Sequence, residues 1–527
     1  MITGKNYIGN SLKAGGSNLF TTINPVLNKE NDTKFHEATA EEIDEAVALA
    51  TKAFAIYSQT TGNKRAAFLR AIAEEIIGLG DLAIHTYCKE TGLPEGRARG
   101  EQGRTVGQLR AFADLLEEGS WVQATIDRAQ PERAPMPRSD LRKMKIPLGP
   151  VVVFGASNFP FAFSTAGGDT ASALAAGCPV ILKGHPMHAG TSELVASAIL
   201  RAAASTGMPD GVFSHLNSSG IEVGQQLVKN EGVMAVGFTG SFRGGKALYD
   251  LAGGRKTPIP VFAEMGSINP VVLLPRALEE EGERWAKAYA GSITLGSGQF
   301  CTNPGLLLAI QGEPLDNFIN QLADEILAIA PTSMLHPNIK DAFEKGKQNA
   351  LAQDHTLVAA AYTEEVQANY ARQLVLVADG GTFAENPALH QEVFGPFALV
   401  VQCADADELE HLVAKLEGQL TGTVIGSPEE FKKHEGIIHA LQARVGRLIF
   451  NGVPTGVEVC PAMHHGGPYP ATTDSRYTSV GTHAIERWVR PVCFQDCPEE
   501  LLPDALKDNN PLGIFRMVDG TLTKAPI

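Results

Sequence analysis

Nowhere in the sequence does an apolar run approach the roughly 20 residues that a bilayer-crossing helix needs, so no membrane span is expected. The first residues, Met1-Ile2-Thr3-Gly4-Lys5, hold no apolar signal core. Excess positive charge is missing too. The formal net charge is -15 and no basic stripe offsets it, which argues against a nucleic-acid partner but leaves room for a local cationic pocket. The seven cysteines lack the paired spacing of a disulfide scaffold, so a reducing cytoplasm is the expected setting. Neither Cys460 with His464 and His465 nor Cys493 with Cys497 makes a four-ligand zinc pattern, and no metal is expected. Internal repeats and low-complexity segments are also absent.

What is present fits a large globular protein. Hydrophobic residues make up 44% and charged residues 20%, and 527 residues exceed one ordinary core, so two or three domains are expected. Thr39-Ala40-Glu41-Glu42 reads as a capping box, with Ile43, Val47, Ala50 and Phe54 on one helical face behind it. Helical patterns continue over Leu69 to Ile77, Asp81 to Thr91 and Glu101 to Glu118. Residues 131–147 are proline-rich and basic. After Pro150, apolar runs at Val151 to Phe154, Pro179 to Lys183, Val212 to Leu216 and Val233 to Phe238 alternate with helical patterns at Thr165 to Ala176 and Thr191 to Ala204. That alternation predicts a doubly wound α/β unit. A second α/β block runs from about Gly266 to Val459, with strands near Val271 to Leu274, Leu306 to Ile310, Ala398 to Val401 and Leu448 to Phe450.

Four segments carry chemistry. Gly296-Ser297-Gly298-Gln299-Phe300-Cys301-Thr302 sets one thiol among small and polar neighbours, where a substrate and backbone N–H groups can approach. Asn158 follows the run Val151 to Phe154, where its amide can donate to a developing oxyanion. Glu264 ends the run Pro260 to Ala263, where partial burial would raise its pKa toward a useful base. Phe238-Thr239-Gly240-Ser241-Phe242-Arg243-Gly244-Gly245 is a glycine-rich turn between strand and helix, suited to a pyrophosphate but matching neither the usual dinucleotide fingerprint nor a Walker loop.

Taken with Val180 to Lys183, Glu392-Val393-Phe394-Gly395-Pro396 and Phe450-Asn451-Gly452, these segments resemble the aldehyde dehydrogenase superfamily, from about Asn24 to at least Pro491. Gly103 to Arg110 and the tail from Arg490 to Gly513 are most similar to the α-ketoglutaric semialdehyde (2,5-dioxopentanoate) dehydrogenases. Bacterial NADP-linked fatty aldehyde dehydrogenases are the nearest alternative. The resemblance implies an α/β fold with a Rossmann-type cofactor domain (residues 1–130 and 148–265), a catalytic domain (266–465), and a β-hairpin oligomerisation arm with a C-terminal extension (131–147 and 466–527). It implies a homodimer or homotetramer and NADP or NAD as cofactor. Cys301 is then the nucleophile, Asn158 the oxyanion donor and Glu264 the hydrolytic base. Lys183, with His185 and Pro186, lies at the adenosine ribose, Gly240, Ser241 and Gly245 at the pyrophosphate, and Glu392 with Phe394 at the nicotinamide end.

NAD-preferring relatives commonly carry glutamate where this chain has Pro186, so NADP is expected to be accepted and even preferred. His464 to Pro468 reads as a loop near the active-site mouth. Arg104 and Arg110 are candidates for a substrate carboxylate, each with a purely structural alternative. Phe159, Phe161 and Phe163 are candidates for an apolar tunnel suited to a fatty aldehyde. A thioester hydrolase or transferase that does not oxidise is the rival of a different class, and the Phe-Thr-Gly-Ser loop with Glu392 and Phe394 argues against it.

Overall fold

The computed structural model describes residues 2–527, arranged as four β-sheets and the helices packed on them. Two hairpins come first, β1 (Asn6–Ile8) with β2 (Ser11–Lys13) and β3 (Leu19–Asn24) with β4 (Lys29–His36). Four helices follow: α1 (Ala40–Tyr57), α2 (Gly62–Gly78), α3 (Gly80–Thr91) and α4 (Glu95–Glu118). The capping box forms at α1, where the Thr39 hydroxyl accepts from the Glu42 N–H and the Glu42 carboxylate from the Thr39 N–H. After β5 (Thr125–Asp127) and β6 (Leu141–Pro147) come β7 (Val151–Phe154), α5 (Gly168–Ala176), β8 (Val180–Lys183), α6 (Ala189–Ser205), β9 (Phe213–Leu216), α7 (Glu222–Lys229), β10 (Ala235–Thr239), α8 (Phe242–Gly253) and β11 (Val261–Glu264).

The five later strands lie parallel in the order β11-β10-β7-β8-β9, extended by β1 and β2. The order reverses between β10 and β7, the point at which open α/β sheets bind ligands at strand carboxyl ends. Continuous apolar runs suit strands buried on both faces. Val151, Val153, Val180 and Leu182 pack with the α2, α4, α5 and α6 side, while Val152, Phe154, Ile181 and Val236 pack with α1, α7 and α8. Helix α5 starts at Gly168 rather than Thr165, because Phe163 and Ser164 leave helical geometry.

A second seven-stranded sheet contains β12 (Val271–Leu273), β13 (Leu306–Ile310), β14 (Leu357–Ala361), β15 (Leu374–Asp379), β16 (Phe397–Cys403), β17 (Gln419–Ile425) and β18 (Val445–Phe450). Between β12 and β13 runs α9 (Pro275–Thr294), which delivers the cysteine loop. Strand β17 has no apolar run to announce it. Gln419 and Thr421 are buried by hydrogen bonds instead, the first accepting from the Ile268 N–H at 2.8 Å and the second donating to Asn269 at 3.0 Å.

The arm is a five-stranded sheet, β19 (Val489–Gln495)-β6-β5-β20 (Arg516–Val518)-β21 (Thr521–Thr523). Its boundaries differ from those read in the sequence. Strand β5 lies outside residues 131–147 yet pairs with β6 and β20. Part of the segment expected to belong to the arm runs along β11 instead, where the Met265 N–H donates to Ala471 O at 2.8 Å and Glu264 bridges to Thr472.

Candidate active site

Cys301 is held by a loop that only small residues can form. After α9 the backbone is left-handed at Gly296, Ser297 and Gly298. A Cβ on Gly298 would stand 2.2 Å from the Gly395 carbonyl, so the cysteine loop and the Glu392 to Pro396 segment are packed backbone to backbone. Buried Asn269 donates to the carbonyls of Cys301 and Asn303, each at 2.9 Å. Asn158 comes from the loop after β7 and spends one amide hydrogen on Gln299 O at 3.1 Å, two residues before the cysteine. Glu101 of α4 pins the continuation of that loop. Its buried carboxylate accepts from the Phe161 and Ala162 N–H groups at 2.8 and 3.0 Å and from the Tyr87 hydroxyl at 2.7 Å.

His465 joins the site from a segment whose sequence carries no catalytic signal. It lies in a loop as expected, but fully buried rather than at the mouth. Its Nε2 points at Cys301 Sγ, 3.5 Å away, and lies 2.9 Å from Glu264 Oε1, which sits to one side of the ring's hydrogen-bonding direction. The two glycines after it make this possible. A Cβ on Gly467 would stand 2.1 Å from Gln419 O, and one on Gly466 would stand 2.8 Å from Tyr477 O. The Ser479 hydroxyl donates to Glu264 Oε2 at 2.6 Å.

Glu264 departs from expectation in the direction of its pKa. Burial works to raise it, but attraction to the His465 imidazole and the hydrogen bond from Ser479 prevail, and the carboxyl sits below its ordinary range. Cys301 moves the other way. Burial and the neighbouring Glu264 and Glu392 carboxylates push its thiol well up, with Arg104 opposing them. The resting pair is therefore thiol and carboxylate. Among the described residues, Glu264, Cys301 and His465 are also the one cluster with metal-ligand chemistry, their donor atoms lying within 4.8 Å of one another.

A cavity of about 340 Å³ opens over Cys301, lined by Arg97, Arg104, Phe159, Phe163, Phe300 and the bare helix face at Gly96 and Gly100. Arg97 stacks on Phe159 at 4.3 Å and pairs with Glu101 at 3.5 Å. Arg104 lies over Phe163 at 5.0 Å, and its Nε and Nη2 are buried without any acceptor. Arg110 is exposed and paired with Glu74, away from the cavity. Phe161 is not a tunnel residue either, since it is fully buried and stacked on Tyr87.

A family model described as the aldehyde dehydrogenase family matches residues 12–489. The chain belongs to the aldehyde dehydrogenase family. It is 49% identical to α-ketoglutaric semialdehyde dehydrogenase 2 of Azospirillum brasilense, over 98% of this chain and 99% of that one. It is 45% identical to α-ketoglutaric semialdehyde dehydrogenase of Acinetobacter baylyi, over 99% of each. Among solved structures, betaine aldehyde dehydrogenase of Staphylococcus aureus in complex with NAD+ superposes with a TM-score of 0.80 at 20% identity, over 94% of this chain and 96% of that one.

In this aldehyde dehydrogenase the glycine turn after β10 opens α8 and packs on Phe238. Ser241 caps α8 by accepting from the Gly244 N–H, and a Cβ on Gly240 or Gly244 would run into the Phe238 ring at 2.7 or 2.9 Å. Gly245 faces Met265 at 2.7 Å, so its smallness too serves packing, here of helix on strand. Lys183 ends β8, donates to Ser218 O at 3.1 Å and is brought down to about 8 by burial. His185 accepts from the Met187 N–H at 3.3 Å, and Pro186 begins the short helical turn after it. Glu392 lies against Gly266, and desolvation of its carboxyl raises it to about 7. Phe394 lines the same narrow cleft.

Proposed function

We propose that this aldehyde dehydrogenase oxidises 2-oxoglutarate semialdehyde to 2-oxoglutarate with NAD or NADP. The observation that carries the substrate is Arg104. An arginine with two buried, unpaired donors beside the nucleophile is costly unless an anion completes it. Glu101 cannot serve, because its carboxylate is already taken by Tyr87, two backbone N–H groups and Arg97. The two relatives named for this semialdehyde support the same reading.

In the proposed mechanism Cys301 Sγ adds to the aldehyde carbon as its proton is given up to solvent, leaving Glu264 ionised beside the adduct. The oxyanion accepts from the second Asn158 amide hydrogen and from the Cys301 N–H. A bound nicotinamide would supply the acceptor for the hydride that must leave the carbon before the Cys301 adduct becomes a thioester. Glu264 then takes one proton from the water that attacks the thioester and returns it to the departing Cys301 sulfur, restoring the thiol, while the product gives its acid proton to solvent and leaves as carboxylate. Toward the cofactor, Gly240 and Ser241 present the α8 amino terminus to the pyrophosphate, Lys183 reaches the adenosine ribose, and Glu392 with Phe394 orients the nicotinamide end. The same reading puts the enzyme in the cytoplasm as a homodimer or homotetramer joined through the arm sheet, where Phe515, Met517 and Leu522 expose apolar surface.

The test is an Arg104→Ala protein assayed on a panel of aldehydes. We expect kcat/KM for 2-oxoglutarate semialdehyde to fall roughly 30- to 100-fold, the worth of one buried charge-assisted contact, with aliphatic aldehydes of similar length changing little. Equal losses would make Arg104 structural. Faster wild-type turnover of long-chain aldehydes would favour the fatty aldehyde alternative.

His465 is a positioning residue in this scheme, and pH separates that role from simple packing. His465→Phe removes an attraction that lowers the Glu264 pKa, so that pKa should rise. Glu264 must be ionised to act as base, so the acidic limb of the kcat profile should move to higher pH, with kcat at its plateau falling roughly 10- to 100-fold. His465→Gln should recover part of both effects. An unmoved acidic limb would leave His465 without a part in the chemistry.

A further inference from the structure

Glu37 follows β4 and reaches the loop after β9. Its carboxylate accepts from the Ser219 N–H at 2.9 Å and from the Ser219 hydroxyl. Lys183 donates to the adjacent carbonyl, Ser218 O, at 3.1 Å. A carboxylate and an ammonium are thus anchored on consecutive residues of one loop, and the pull of Glu37 partly offsets the burial that lowers Lys183. Both charges stand at the carboxyl ends of β8 and β9, on one side of the switch point. In doubly wound dinucleotide folds this is the adenosine end, where an acidic side chain accepts from the ribose 2′-hydroxyl.

The segment directly after β8, Gly184-His185-Pro186, supplies no acid. Nor do its neighbours supply a cation that would favour a 2′-phosphate. His188 is fully buried between Ala156 O at 2.8 Å and the Ser192 hydroxyl at 3.1 Å, and burial holds it at about 4. His185 is kept neutral by burial and by His188. Arg243 lies in the first turn of α8, beyond β7 on the other side of the switch point. Only Lys183 is left, and Glu37 faces it across the Ser218-Ser219 turn.

We propose that Glu37, delivered from the amino-terminal hairpin, is the residue that discriminates between cofactors, accepting from the ribose hydroxyls of NAD and repelling the 2′-phosphate of NADP. This rests on the cofactor crevice assigned above. It reverses the preference read from Pro186: the repulsion missing from the segment after β8 is restored by a residue far away in sequence.

Affinity, not turnover, tests it. Dissociation constants for NAD, NADP, 5′-AMP and adenosine 2′,5′-bisphosphate are measured by fluorescence quenching or calorimetry on the intact wild type, Glu37→Gln and Ser219→Ala. We expect the wild type to bind NAD at least about tenfold tighter than NADP, the effect of one like charge placed several ångströms away at a protein surface. Glu37→Gln should tighten NADP and the bisphosphate by about tenfold while NAD and 5′-AMP change only a few-fold. Ser219→Ala keeps the charge and should keep the ranking. Tighter NADP binding by the wild type overturns the proposal, and so does an equal shift of both cofactors in Glu37→Gln. A Ser219→Ala protein that behaves like Glu37→Gln overturns it as well, because loop shape and not charge would then select. If the wild type binds neither dinucleotide, the crevice assignment itself has failed.

Discussion

A Cys301→Ala protein is expected to lose aldehyde oxidation by about 10,000-fold or more while binding NAD and melting as the wild type does. The size follows from what is removed. Without Sγ there is no covalent adduct, so the oxyanion donors, the hydride path and the hydrolytic base all lose the atom they act around. Stability should hardly change, because the loop is fixed by other contacts. The Asn269 amide grips the Cys301 and Asn303 carbonyls, and the Ser297 hydroxyl grips the Thr332 carbonyl at 3.0 Å. Reduced-cofactor absorbance, a cofactor titration and a thermal melt, all on one preparation, check the three expectations. Oxidation at more than a trace by pure Cys301→Ala would remove Cys301 from the mechanism.

Glu264→Gln should separate the two halves of the reaction. The amide fills the same space but cannot take a proton from water, so hydrolysis of the thioester should slow by about 1,000-fold. Rapid mixing should then show about one equivalent of reduced cofactor per site, followed by a near-stop. The charge change also acts on the thiol. Glu264 is one of the groups that push Cys301 up, so its neutralisation should lower the thiol pKa and speed alkylation of Cys301 at neutral pH, even as turnover fails. That opposition is diagnostic, since a collapsed site would lose both. Equal slowing of hydride transfer and hydrolysis in single-turnover measurements would mean that Glu264 is not chiefly the hydrolytic base.

Much of this was legible in the sequence, and what was not has a physical reason. Strands β7, β8 and β13 declare themselves because a strand buried on both faces must be apolar at every position. The motifs around Asn158, Glu264 and Cys301 stand out because each places a reactive group beside residues that free the backbone. His465 gave no such signal. A histidine next to two glycines looks like any loop, and only the threading of Gly466 and Gly467 past Tyr477 and Gln419 turns it under the thiol. The direction of the Glu264 pKa is hidden for the same reason: the apolar run before it announces burial, and nothing local announces His465 or Ser479. Glu37 gives no signal because its relation to Lys183 spans nearly 150 positions of chain, and a single sequence offers no pattern for it. Strand β17 escaped notice because its buried Gln419 and Thr421 are satisfied by partners that no local window contains.

Helix α4 has a consequence for how substrate range can change over generations. Arg104 and Glu101 are less than one turn apart on it, so the group proposed to select the aldehyde and the group that fixes the Asn158 loop are inherited as one piece. Exchanging the helix for a relative's would trade both at once. Gly96 and Gly100 are different: no atom stands within 4 Å of where their side chains would begin. A lineage can add bulk there one methyl at a time, shortening the aldehydes it admits and stiffening the helix, while Glu101 keeps its hold on the loop. The bare glycine face is a dial for chain length set beside a fixed switch for charge.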